Sequence, residues 1–241
     1  MSLVTVSSWA RGVGSGARGY GSAMANSLRA VSMDEARCGP PEPPTEERVF
    51  LDVVRRAVDA LEETGLPYLW MGGIASAVHG RPRWTHDADV FVRPEDAIAT
   101  LDALGRAGFE TERTYPDWLF KAIRDDIVVD VIFRGCRGVQ VDEEMLERST
   151  VEPFQGIPLR LLPAEDLVVI KAVTHDEHMP RHWHDALAIV ARGDLDWDYL
   201  LERARRHGPR RVLSLLLYAE SIDLIVPRQV TRTLFEAIQC A

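Results

Sequence analysis

The chain has 241 residues, 46% of them hydrophobic, and a formal net charge of −9 from 28 basic and 37 acidic residues. That is enough apolar material for a real core in one large domain or two small ones, and the composition excludes a wholly disordered, fibrous or low-complexity chain. The longest uninterrupted apolar run is the six residues Ala186–Ala191, far short of a membrane span, and the acidic balance argues against a protein built mainly to coat nucleic acid.

Residues 1–32 hold seven Ser, five Gly, three Arg and no acid, and Cys38-Gly-Pro-Pro-Glu-Pro-Pro44 follows. Such a stretch buries too little to offset the entropy of ordering. A disordered tail over 1–44 is expected, or a start at Met24 or Met33; the composition also matches an organellar transit peptide. The body opens with a helix capped by Thr45, with Phe50, Val53, Val54, Ala57, Val58 and Leu61 at helical spacing and Gly65 as its stop. Tyr68–Met71 reads as a short buried strand. Gly72-Gly73 precedes a short helix over Ile74–His79, and Asp87–Val92 reads as the next strand. A helix over Pro94–Ala107 has proline in its first turn and Gly108 at its end. Phe109–Arg113, Trp118–Ile123 and Ile127–Phe133 read as strands, with Asp125-Asp126 as the turn between the last two. Met145 falls in a short helix, and Pro158–Leu162 in an edge strand. From Pro163 the period is helical, over about 163–176, 181–192, 196–207, 209–225 and 228–239. Strands first and helices after predict an α/β front and an all-helical back.

The three cysteines, Cys38, Cys136 and Cys240, are odd in number and far apart. No disulfide framework or metal knuckle follows, and a reducing, cytoplasmic setting is expected. Only Lys121 and Lys171 are lysines, which reads as an arginine-for-lysine bias of composition.

The chemistry concentrates in Met71-Gly72-Gly73-Ile74-Ala75-Ser76 and Asp87-Ala88-Asp89-Val90. Glycines between a strand and a helix let an anion approach the backbone, and the free N–H groups of the helix then point at it. Ser76 lies in that first turn and could add a hydroxyl donor. Residues i and i+2 of a strand share a face, so Asp87 and Asp89 point the same way and repel each other. A hard cation with oxygen ligands, Mg²⁺ above all, offsets that repulsion and also binds phosphates. Asp130 is the single polar residue in the apolar run Ile127–Phe133, and a buried strand carboxylate needs a partner.

A glycine pair, a short helix, Asp-x-Asp and a later strand aspartate resemble the nucleotidyltransferase superfamily typified by DNA polymerase beta. The motif resemblance spans about residues 48–135. The segment Leu162-Pro-Ala-Glu-Asp-Leu-Val-Val-Ile-Lys171, with His184-Asp-Ala-Leu187, is similar to the helical part of small bacterial members, among them aminoglycoside nucleotidyltransferases and the nucleotidyltransferase halves of toxin–antitoxin pairs. The resemblance implies a small mixed-sheet α/β domain over 45–161 and a helical region over 162–241. It implies that Asp87 and Asp89 hold Mg²⁺ on a nucleoside triphosphate, and that Asp130 binds a second ion or deprotonates the acceptor. It also implies that Gly72, Gly73 and Ser76 hold the β- and γ-phosphates. The expected reaction moves an NMP, AMP above all, from the NTP to an acceptor hydroxyl and releases pyrophosphate. The acceptor is left open between a small molecule, a protein and an RNA end. The alternative is a non-catalytic binding module, an antitoxin-like partner of a toxin-type protein.

Further candidates carry weaker signals. Arg81 and Arg83 could meet triphosphate oxygens or stand in solvent. Lys171 could snorkel, reach phosphates or pair with an acid, and Asp185 is its expected partner. His175, His178, His182 and His184 crowd a helix–helix turn; exposed histidines are expected there rather than a zinc site. Arg203, Arg205, Arg206, Arg210 and Arg211 form a basic patch, read as a solvated corner with an RNA contact as the alternative.

Overall fold

The computed structural model describes residues 45–239 apart from 177 and 179, so readings of 1–44 and of Cys240 lie outside the described residues. Helix α1 (Thr45–Glu62) leads into strand β1 (Tyr68–Trp70), helix α2 (Gly72–His79) and strand β2 (Asp87–Val92). A 3₁₀ turn at Pro94–Asp96 opens helix α3 (Ala97–Arg106), and strands β3 (Glu110–Tyr115), β4 (Leu119–Arg124) and β5 (Ile127–Ile132) follow. Helix α4 (Glu143–Arg148) precedes the hairpin of β6 (Thr150–Phe154) and β7 (Ile157–Leu161). Five helices complete the described chain: α5 (Ala164–Thr174), α6 (Arg181–Arg192), α7 (Trp197–His207), α8 (Pro209–Ser221) and α9 (Arg228–Gln239).

The seven strands form one mixed sheet in the order β3-β4-β5-β2-β1-β7-β6. The β2–β5 and β1–β7 pairs are parallel, and the other pairs are antiparallel. Two-residue turns set the hairpin registers. Asp125 and Asp126 both take positive φ, as do Gln155 and Gly156; this left-handed pair matches the twist of antiparallel strands. The expected edge strand at 158–162 is an interior strand, because β6 pairs along its outer side. Two prolines conceal that pair in the sequence: Pro153 of β6 stands opposite Pro158 of β7, and proline normally marks an edge.

Alternation along the central strands separates core from site. Ala88 and Val90 of β2, and Val129 and Val131 of β5, are fully buried. Helix α3 packs on β4 and β5, and α1 also reaches β5. The side chains between these core positions, Asp87, Asp89 and Asp130, fall on the opposite face. Helix α2 packs against both α5 and α6, and the apolar core runs without a break from Phe50 to Leu234.

A buried ionic tie helps hold the helices. Arg203 on α7 is fully buried and donates from Nε to Asp166 Oδ1 of α5 at 2.6 Å and from Nη1 to Asp142 Oδ2 at 2.5 Å. Asp142 caps α4 by accepting the Met145 N–H at 2.9 Å. Arg203 therefore does not belong to the expected basic surface patch.

Candidate active site

The acids are brought together by strand register. Asp89 of β2 stands directly opposite Asp130 of β5, and Asp87 lies two residues earlier on β2. The β1–β2 pairing extends past β1 through a bond from the Met71 N–H to the Asp89 carbonyl at 2.9 Å. That bond sets Gly72-Gly73 beside the Asp89 side chain. Gly72 takes φ +55°, and a Cβ there would sit 1.8 Å from Asp89 Oδ2. A Cβ on Gly73 would fall 2.4 Å from Thr85 Oγ1. Close approach to Asp89 and to Thr85 thus leaves no room for a side chain at either glycine. The Gly73 N–H points at Asp89 Oδ2 across 3.4 Å.

Burial raises two of these acids. Burial, reinforced by the charges of Asp87 and Asp130, pushes the Asp89 carboxyl up to about 6. Lys171 and the Gly73 N–H act in the opposite direction. Burial also raises Asp130, against the pull of Lys121. Lys121 Nζ donates to Asp130 Oδ1 at 2.7 Å, and Thr85 Oγ1 donates to Asp87 Oδ1 at 2.7 Å. Asp87, Asp89, Asp130, Gly72 and Gly73 all line one cavity of about 610 Å³. Leu119 and Trp118 of the β3–β4 side, Leu167, Ile170 and Lys171 of α5, and His182 and Asp185 of α6 complete much of its wall.

The other sequence candidates divide. Arg83 lines the cavity, yet its guanidinium is engaged: Nε donates to Asp185 Oδ1 and Nη2 to Asp185 Oδ2, each at 2.9 Å. Lys171 is buried and donates to Asp185 Oδ2 at 2.7 Å, so the pairing read from sequence is present. Burial would raise the Asp185 carboxyl, but the Arg83 hydrogen bonds and the Lys171 charge hold it below the usual value. Ser76 is buried outside the cavity lining, and its hydroxyl donates to the Gly72 carbonyl at 2.6 Å. It supports the turn and presents no donor to the cavity. Arg81 is exposed and outside the lining. Of the histidines, His175 stacks on Trp183 with centroids 4.7 Å apart. His182 faces the cavity, where burial and the Lys171 charge lower it to about 4.

Two contributors escaped the sequence reading. Trp118 lines the cavity and stacks on Tyr115 at 5.3 Å and 18°. In the sequence Lys121 reads only as part of the arginine-for-lysine bias. A signal for it existed: a two-residue turn at Asp125-Asp126 pairs Arg124 with Ile127, and counting back along both strands places Lys121 opposite Asp130.

Among the described residues no three acidic, imidazole or thiol side chains converge as a ready ligand shell. The donor set nonetheless suits Mg²⁺. The oxygens of three carboxylates lie on one sheet face, two of them with raised pKa from crowding and burial. Mg²⁺ takes only one or two carboxylates and completes its shell with water and substrate phosphate.

No curated protein matches the chain. Among solved structures, a nucleotidyltransferase described as putative from Thermotoga maritima is 18% identical, with 48% of this chain and 78% of that chain covered and a TM-score of 0.38. The resistance factor ANT(2″)-Ia, solved with adenylyl-2″-tobramycin, is 17% identical, with 73% and 99% covered and a TM-score of 0.43. An antigenic nucleotidyltransferase-like protein from Paracoccidioides brasiliensis is 13% identical, with 76% and 91% covered and a TM-score of 0.45. These likenesses are too distant to assign a role to any residue. A family model described as "Uncharacterised nucleotidyltransferase" matches residues 45–221, every element from α1 to the end of α8, and the chain belongs to that family of nucleotidyl-transferring enzymes.

Proposed function

We propose that this enzyme is a Mg²⁺-dependent nucleotidyltransferase that moves an NMP, AMP in the first instance, from a nucleoside triphosphate to an acceptor hydroxyl. The observation that carries this reading is the register of β2 on β5, which sets Asp89 against Asp130 beside the Gly72-Gly73 turn. Asp87 and Asp89 would hold the metal on the triphosphate, and Asp130, opposite Asp89, would add a third carboxylate to that site. Mg²⁺, when bound there, neutralises charge on the phosphates and on the leaving oxygen. The N–H groups at the start of α2 face the same region and favour an anion. Arg134 and Arg181, which line the same cavity with Lys171 and Arg83, complete its cationic side.

In the proposed reaction the acceptor oxygen forms a bond to the α-phosphorus. The bond from that phosphorus to the oxygen bridging to the β-phosphate breaks, and pyrophosphate departs with the electron pair. Asp130 takes the acceptor proton. Its burial-raised pKa suits it to that task better than an ordinary surface carboxylate. A cavity of about 610 Å³ admits a nucleotide and a compact acceptor group. A non-catalytic, antitoxin-like module would need neither the crowded acids nor the cationic wall.

The test is thermal unfolding of the full chain with each of the four NTPs, with and without Mg²⁺, beside the Asp87→Asn/Asp89→Asn variant. A ligand at one hundred times its Kd adds about 2.7 kcal/mol. A Mg²⁺-dependent shift that the variant lacks supports the reading and names the donor. A folded wild type that responds to no NTP refutes it.

A further inference from the structure

The chain has 28 basic residues, and 26 of them are arginines. Its two lysines are both at the site. Lys171 lines the cavity, and Lys121 holds an acid that lines it. The placement follows from what each cation does to a carboxylate. A guanidinium is a planar fork that takes both carboxylate oxygens, whereas an ammonium is a point charge that takes one. The same molecule displays the contrast. Arg83 occupies both oxygens of Asp185. Lys121 occupies only Oδ1 of Asp130, and among the described residues no hydrogen bond reaches Oδ2.

Strand register makes the contact rigid. Glu112 of β3 stands opposite Lys121 of β4, Lys121 opposite Asp130 of β5, and Asp130 opposite Asp89 of β2. Four charged side chains thus cross four strands in one row. Lys121 is the sole cation in that row, and both its side chain and that of Asp130 are largely withdrawn from solvent. Asp185 shows how much room a fork leaves. With both Asp185 oxygens already on the Arg83 fork, a point charge still fits at 2.7 Å from Oδ2.

We infer that Lys121 is a positioning residue: it pins Asp130 by a single oxygen and leaves the other open to the reaction. Arginine is a poor replacement, because its fork would draw on both oxygens and leave Oδ2 only the shared lone pair that Lys171 finds on Asp185. This inference rests on the acid cluster being the nucleotide–metal site proposed above.

The experiment measures Mn²⁺ binding by the loss of the free-ion EPR signal, on the full chain, for wild type and Lys121→Arg, Lys121→Gln, Lys121→Met and Asp89→Asn. Melting temperatures check that each variant is folded. Loss of an outer partner of a metal ligand weakens metal binding by about 10–100-fold. Lys121→Arg is expected to lose affinity by about tenfold or more although its charge is kept. Lys121→Gln, whose NH₂ can donate one neutral bond to Oδ1, is expected to stay within about threefold of wild type, and Lys121→Met, which has no donor, to fall with arginine. A purely electrostatic role gives the reverse: arginine rescues, and glutamine and methionine fail alike. Wild-type binding in Lys121→Arg, with a loss in Asp89→Asn, overturns this inference alone. Should the arginine variant not fold, a loss in glutamine equal to that in methionine overturns it. Undiminished binding in Asp89→Asn overturns the metal-site reading and this inference with it.

Discussion

Asp89→Asn should make the metal-free protein more stable at neutral pH. The Asp89 carboxyl is pushed from an ordinary 3.8 to about 6 by burial and by Asp87 and Asp130. The folded state therefore holds that proton more tightly than the unfolded chain. Its contribution is most favourable below the unfolded pKa and is lost as pH rises through 6. At 1.36 kcal/mol per pH unit, the ionised carboxylate destabilises the fold by about 3 kcal/mol at pH 7.5. Asparagine keeps the shape and removes the charge, so the variant should gain stability of that order. For a domain of this size the gain corresponds to a rise in Tm of roughly 6–12 °C. Urea denaturation in EDTA at pH 5 and 7.5 would measure it for both proteins. The gain should be full at pH 7.5 and about half as large at pH 5, which lies between the unfolded and folded values. Mg²⁺ with an NTP should stabilise wild type and not the variant. A variant no more stable than wild type at pH 7.5, with an unchanged pH slope, would refute the account of a crowded, uncompensated acid.

Three further outcomes are expected. Gly72→Ala should cost more stability than Gly156→Ala. Both positions have positive φ, which costs about 1–2 kcal/mol for an L side chain, but only at Gly72 does the new methyl meet a carboxylate. Urea midpoints and the Mg²⁺–NTP melting shift would separate them: the shift survives in Gly156→Ala and is lost in Gly72→Ala. Arg203→Leu should destabilise by about 3–5 kcal/mol by leaving the buried Asp166 without its cation; adding Asp166→Leu should recover part of that in a double-mutant cycle. Asp185→Asn should lower stability at pH 7 and narrow the difference from wild type as pH falls. The wild-type carboxyl titrates below its usual value, so its stabilisation is present at neutral pH and lost in acid; acid-induced unfolding monitored by circular dichroism would check this.

Much of this was legible because local signals and global pattern agree. Asp87-x-Asp89 on a strand, the glycine pair before a helix, and a lone aspartate in an apolar run each announce a role without reference to the rest of the chain. The concealed parts depend on pairing. β6 reads as polar and carries Pro153, and only its partner β7 makes it a strand. Arg83 reads as a free phosphate ligand because its partner, Asp185, lies 102 residues away. Arg203 looks like surface because Arg205 and Arg206 follow it on an amphipathic helix, yet its own position turns inward to Asp166. Ser76 has the residue type of a phosphate donor, but helical geometry returns its hydroxyl to Gly72.

The Arg83–Asp185–Lys171 cluster has a consequence for selectivity. Neither cation waits bare in the cavity, since one carboxylate already satisfies both. An anion that draws on them must outbid Asp185, which a monovalent ion does poorly and a polyphosphate does well. At these two side chains the internal carboxylate thus favours an anion of higher charge over a monovalent one.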